Sequence, residues 1–316
     1  MAAANYVWEI KVMKRNLILR SITGILFVVV VAGSILYGVQ TYSLLFAVIT
    51  AMTTWEFCSI VNKNLQMQIN RFITTVAAVY LYFAVMGFNL NIAGSEIFIP
   101  YLISIIYLFV SELYFDRKNS IYNWAFTMMA QLYVALPLSM IHVISFFAVQ
   151  GVAGQPQVVY SPVFVLSVFI FLWSNDSGAY CFGSMFGKHR LFPRISPKKS
   201  WEGSIGGAVV AIAVSQVVAS YSMDMNSSSE WLNRIAWGGL AVVVVVFGTW
   251  GDLVESLLKR KLLIKDSGNI LPGHGGMLDR FDSSLLAIPA SVVYVYTVNS
   301  GMFQNMYDKI LLLMGK

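Results

Sequence analysis

The chain has 316 residues, of which 58% are hydrophobic and only 11% charged, with a mean hydropathy of +0.69. A soluble domain carries about 25% charged residues, so this composition excludes a water-soluble enzyme or a nucleic-acid-binding module and points to a bilayer as the solvent. The net charge of +6 matters less than its placement, and Cys58 and Cys181 lack the spacing of a disulfide framework or a zinc site, reading instead as buried small hydrophobes.

Apolar runs of about 20 residues cross a bilayer as helices. In chain order they fall at 21–38, 42–61, 72–90, 97–115, 121–148, 159–180, 203–222, 231–258 and 283–300, which predicts an all-α, polytopic integral membrane protein of about nine transmembrane helices. So few polar residues separate the first two runs that a tight helical hairpin is expected there. The fifth is long and carries Pro137, where a kink or break is expected. Residues 1–20 form an N-terminal segment, in which 1–12 read as an extension ahead of Met13-Lys14-Arg15. Residues 21–150 supply the N-terminal helices, and 151–316 a C-terminal catalytic region with polar loops at 181–202 and 259–282. The first apolar run is too long, and lacks a small-residue cleavage pattern, to be a secretory signal.

Basic residues set the expected orientation. Lys11, Lys14, Arg15 and Arg20 precede the first run, two more lie at 62–71, two at 116–120, five at 181–202 and five at 259–282, together 18 of the 21 in the chain. The alternate connections at 39–41, 91–96, 149–158 and 223–230 have none. With nine spans all the basic segments share one side, so the positive-inside rule places the N-terminus and both long loops in the cytoplasm and the C-terminus outside.

Chemistry gathers at that same face. Asp252, Glu255, Ser256 and Lys259 recur at i, i+3, i+4 and i+7, one face of the eighth helix near its cytoplasmic end. Ionisable groups at membrane depth are costly unless they meet a cavity, a counter-ion or each other, so a functional role is the default. Asp279 and Asp282 open the ninth helix three residues apart, where carboxylates also suit the helix N-terminus. Asp252 and Asp279, with Asp282 as a third acid, offer the hard oxygens Mg²⁺ prefers, substrate phosphates completing its shell. Lys259, Arg260, Lys265 and Arg280 can neutralise phosphates, and the glycine turn at 273–276, including Gly275 and Gly276, lets backbone N–H groups approach them. Imidazole is a poor Mg²⁺ ligand, which leaves His274 to bind a phosphate or shape the turn.

The sixth helix ends in Ser174-Asn175-Asp176-Ser177-Gly178-Ala179-Tyr180, with Asp176 expected to be buried as a secondary ligand or base. The following loop, through Ser196-Pro197-Lys198-Lys199-Ser200, joins hydroxyls and ammonium groups at the start of a helix, a cradle for phosphate oxygens; attraction to anionic headgroups is the plainer account of its charge. Glu56 and Glu112, lone acids near cytoplasmic helix ends, read as structural.

The run Ser256-x-Leu258-Lys259-Arg260-x₄-Lys265-Asp266-x-Gly268-x₂-Leu271-Pro272-Gly273-His274-Gly275-Gly276-x₂-Asp279-Arg280-x-Asp282 resembles the signature of the phosphatidate cytidylyltransferase (CDP-diacylglycerol synthase) family. The Asp176–Tyr180 segment, the 196–199 loop, Trp201-Glu202-Gly203 and Gly251-Asp252 resemble the family too, with Ser200 where threonine is expected; the N-terminal half resembles it only in hydropathy and its Met13-Lys14-Arg15 start. The resemblance implies a membrane enzyme that joins CTP to phosphatidate, giving CDP-diacylglycerol and pyrophosphate, with Mg²⁺, a second cation such as K⁺, and a homodimeric assembly. It also implies that Asp252 and Asp279 are the metal ligands, Lys259, Arg260 and Asp282 completing the catalytic set. Ser196, Lys198, Lys199, Ser200, Ser256, Lys265, His274, Gly275, Gly276 and Arg280 are the expected substrate contacts. The site is expected at the cytoplasmic face of the cell membrane, and nucleic acid is not an expected partner. A transporter or flippase of a phosphorylated substrate, or a related CTP-dependent lipid kinase, are the competing classes.

Overall fold

The computed structural model describes residues 22–115, 117–150, 156–222, 230–268, 270 and 275–299. Each of the nine apolar runs is helical. They form α1 (Ile22–Tyr37), α2 (Val39–Leu65), α3 (Arg71–Asn89), α4 (Ile99–Tyr114), α5 (Ser120–Met129) continued by α6 (Leu136–Met140), α7 (Pro162–Phe186), α8 (Trp201–Tyr221), α9 (Glu230–Lys261) and α10 (Leu278–Asn299). Eight of these segments are long and apolar enough to cross a membrane; α1 is shorter within the described residues. Along α4, Leu102, Ile103, Ile106, Val110 and Leu113 are all exposed, a stripe that would drive aggregation in water and is solvated by lipid. The molecule is a polytopic membrane protein of helices, to which two short antiparallel strand pairs are added: β1 (Phe146–Gln150) with β2 (Pro156–Tyr160), and β3 (Arg190–Phe192) with β4 (Ser196–Ser200).

The chain divides into two compact units interleaved in sequence. The first takes residues up to Phe83, then Phe98–Ala135 and Leu258–Phe281; the second takes Ala84–Ile97, Leu136–Leu257 and the chain from Asp282. In the first unit, α1 and α2 form the expected hairpin. Residues 27 and 46 on one straight helix would lie about 28 Å apart at 1.5 Å per residue, yet the rings of Phe27 and Phe46 both pack on Phe281, at 5.7 and 6.1 Å. The reversal falls on Gly38, whose φ of 146° is open to glycine and closed to most other residues. Side chains satisfy the turn between α2 and α3. Asn62 donates to Ile69 O and accepts from Ile69 N, at 2.9 and 2.8 Å, while Gln68 N donates to Asn123 Oδ1. Glu112 meets Arg117 at 2.7 Å and the Asn123 amide at 3.0 Å, an ion pair with its acid buried.

The fifth span stays helical through Pro137. A π-helical turn, Ala130–Ala135, leads into the helix that contains Pro137. Proline lacks an N–H and crowds the carbonyl four residues back, and a locally widened turn absorbs both effects while the helix continues.

In the second unit α7 and α8 approach along a seam of small residues. A Cβ on Gly178 would stand 3.0 Å from the Gly207 backbone, and one on Gly203 would be 2.8 Å from the Ala179 carbonyl. Without a hydrophobic drive between helices in lipid, such backbone contact is what packs them. Phe164 stacks on Trp237 at 5.1 Å, and Tyr294 donates its hydroxyl to the Ala236 carbonyl at 2.8 Å. Both are buried-core contacts of this unit.

Candidate active site

The segment read as a plain loop at 181–202 is largely ordered. Helix α7 continues through Phe186, taking in Cys181, Phe182, Met185 and Phe186, and a bulged hairpin follows. The hairpin is held where it enters α8. Trp201 N donates to His189 O at 2.9 Å, Glu202 accepts from His189 N at 3.1 and 3.2 Å and faces its Nδ1 at 2.6 Å, and Ser200 Oγ caps α8 by accepting from Gly203 N at 3.1 Å. Lys198, Lys199 and Ser200 are thereby presented to a cavity of about 540 Å³, shared with Asp176, Tyr180 and Arg190. Asp176 is exposed to it, not buried as expected; α7 turns that face outward. Cys181 is likewise exposed, while Cys58 is buried. Ser196 begins β4 opposite Phe192, outside that cavity lining.

Asp252, on α9 in the same unit, forms an ion pair with Lys199 and accepts from Ser256 Oγ at 3.2 Å. The i, i+4 face predicted for the acid and the hydroxyl is therefore present. Gly251 matters here, since a Cβ on it would meet the Ser283 carbonyl at 3.0 Å. Asp282 lies in the first turns of α10, half-buried, with its carboxylate on the following amide of Ser283.

The first unit carries the rest of the signature run. Asp279, in the first turn of α10, accepts from Lys259 Nζ through Oδ1 at 2.8 Å, and through Oδ2 from Ser267 N and Gly276 N, each at 2.8 Å. Its side chain is only 6% exposed, so three donors offset the cost of burying the charge. Gly275 adopts φ 83°, the left-handed turn that glycine was expected to provide. The Gly276 amide is directed to Asp279. Arg260, Lys265 and Arg280 are exposed. His274 lies outside the described residues.

Glu56, read from the sequence as structural, contacts the signature run. It is 6% exposed in α2 and accepts from Met277 N at 2.7 Å and from the Ser267 hydroxyl. Beside it lies a cavity of about 610 Å³ lined by Trp55, Ser59, Lys63, Asp266 and Ser267 among others. A carboxylate in an apolar span is costly unless it has such partners.

The fold is that of an integral membrane protein of helices, in which Asp252 and Asp279 are each paired with a lysine. The chain belongs to the cytidylyltransferase family, whose model matches residues 18–298. It is similar to proteins named phosphatidate cytidylyltransferase from Staphylococcus haemolyticus, 45% identical over 126 residues, and from Staphylococcus aureus, 46% identical over 126 residues. In both cases the match covers 40% of this chain and 46% of the relative, so the chain spans about half the length of the curated relatives it matches.

Proposed function

We propose that the protein is a phosphatidate cytidylyltransferase. The observation that carries this is the family match across residues 18–298, taken with relatives that bear that name. The reaction is an in-line nucleotidyl transfer. A phosphate oxygen of phosphatidate attacks the α-phosphorus of CTP, a P–O bond forms there, the bond to the β-phosphate breaks, and pyrophosphate leaves with the electron pair. Phosphatidate is already ionised, so the step needs no strong base and no covalent nucleophile; positioning and charge neutralisation do the work.

The residues divide that work by their chemistry. Lys198, Lys199, Ser196 and Ser200 on the hairpin, and Ser256, Lys259, Arg260, Lys265 and Arg280 of the signature run, bind and orient phosphate oxygens. Gly275, Gly276 and His274 are proposed as further substrate contacts in the glycine turn. Asp252 and Asp279 are proposed as Mg²⁺ ligands, with Asp282 in support and K⁺ as a second cation. The donor chemistry fits: Mg²⁺ takes one or two carboxylates and completes its shell with water and phosphate, and among the described residues no group of three or more Asp, Glu, His or Cys forms a cage of its own. Each aspartate is paired with a lysine, an ammonium that an arriving phosphate can take over. Bound Mg²⁺ would supply neutralisation of the charge that grows on the departing pyrophosphate.

The proposed setting is the cytoplasmic face of the cell membrane, where CTP and a lipid headgroup meet, in a homodimer. Purified protein in mixed micelles with phosphatidate, Mg²⁺ and CTP should release pyrophosphate and form CDP-diacylglycerol. Release of CDP instead would make it a lipid kinase, and vectorial movement of lipid without turnover would make it a transporter.

A further inference from the structure

We propose that Glu56 is a positioning residue for the catalytic signature run, holding the Ser267 and Gly276-Met277 segments in the register that presents Asp279 and Lys259. The inference rests on the cytidylyltransferase reading of the site. Glu56 sits in α2, about 210 residues before the groups it binds, as the sequence numbering shows. Its carboxylate and that of Asp279 divide one set of donors. Ser267 gives its hydroxyl to Glu56 and its amide to Asp279. The neighbouring amides separate in the same way, Gly276 N to Asp279 at 2.8 Å and Met277 N to Glu56 at 2.7 Å. Two stretches of chain are thus cross-braced by two acids, and displacing one acid loosens the partners of the other.

Packing agrees with that geometry. A Cβ on Gly276 would overlap Glu56 Oε1, and one on Gly268 would stand 3.1 Å from the same oxygen, so the glycines of the run leave the space the carboxylate fills. Glu112, another buried acid of this unit, offers the comparison. Glu112 is neutralised by Arg117 and binds no part of the signature run. Glu56 has no lysine, arginine or histidine ion-pair partner among the described residues; its partners are an amide and a hydroxyl of the run itself. A buried carboxylate kept at that cost is explained by what it orients, as supporting groups orient the ligands of a metal or phosphate site.

The test compares Glu56→Ala and Glu56→Gln with Glu112→Gln in the full chain, reconstituted in mixed micelles. Hydrogen exchange should quicken at the Ser267, Gly276 and Met277 amides in the Glu56 variants and stay as in the parent in Glu112→Gln. The Mg²⁺ concentration for half-maximal turnover should rise, or kcat fall, by about 10–100-fold, the usual effect of removing such a support, with the alanine variant worse than the glutamine. KM for phosphatidate should change little. Should the alanine variant not be recovered folded, Glu56→Gln carries the same comparison. Parental exchange and kinetics in a folded Glu56 variant overturn the proposal. So does activity that falls only in step with Tm, as in Glu112→Gln. If the parent protein itself makes no CDP-diacylglycerol, the functional reading fails, and the exchange measurement still decides whether Glu56 braces the run.

Discussion

Lys259 and Asp279 are each other's principal partner, 2.8 Å apart with little solvent around either. On the proposed reading, replacing Lys259 with alanine removes a phosphate ligand, and it leaves a buried carboxylate with only its backbone donors. Lys198, more exposed, is proposed to supply phosphate binding alone. Lys259→Ala and Lys198→Ala should each lower kcat/KM by roughly ten- to a thousand-fold, about 1.4–4 kcal/mol of transition-state stabilisation. Parental kinetics in both would reduce the basic segments to membrane-facing charge. Asp252→Asn and Asp279→Asn keep the shape but lose the charge a hard cation requires, so turnover should drop by at least about a hundred-fold in each. The double variant should be little worse than either single one, since losing the ion leaves the second ligand with little to contribute. Independent multiplicative losses with unchanged Mg²⁺ dependence would show that these aspartates do not share a metal. At this scale the sequence was most informative where charge stood in an apolar setting: Asp252, Ser256 and the Asp279 turn all lie where helical spacing put them. It misjudged residues whose environment depends on distant segments. Asp176 is exposed because of the way α7 faces its cavity, and Glu56 finds its hydrogen-bond partners in a turn more than 210 residues later, which no local pattern encodes.

Among the elements, the α7–α8 seam has the clearest consequence. A Cβ on Gly206 would clash with the Phe182 side chain, and one on Gly207 with the side chain and carbonyl of Asn175. The hairpin bearing Lys198 and Lys199 feeds directly into this helix pair. Gly206→Val and Gly207→Val should each cost about 1–3 kcal/mol as overpacking, read as a lowered Tm in detergent, with affinity for CTP falling alongside. An unchanged Tm in both would mean that the helices do not depend on close backbone contact. Hydropathy located the nine helices of the described residues because lipid demands long apolar runs, and tight spacing foretold the α1–α2 hairpin. It did not mark where α7 ends, and it could not find the two small strand pairs or the π-helical turn before Pro137. Those features are set by hydrogen-bond geometry, and apolar content is blind to them.

For the molecule as a whole, orientation follows from charge. Of 21 basic residues, 18 fall in segments that nine spans would place on one side, so single cysteines at Lys188 and Lys261, in a background without Cys58 and Cys181, should resist an impermeant reagent in intact cells, while one at Lys316 should react. Labelling at 188 or 261 would invert the topology, and protection at 316 would indicate an even number of spans. The central claim is that the lysine-paired aspartates and the basic hairpin serve transfer of a cytidylyl group to a lipid phosphate. Its most direct measurement uses purified protein with phosphatidate, Mg²⁺ and CTP labelled at both the α- and γ-phosphates. The account predicts that the α-label moves into a chloroform-soluble lipid while the γ-label appears in pyrophosphate in equal amount; the γ-label in lipid with the α-label in CDP, or no labelled lipid from active, folded protein, would contradict it.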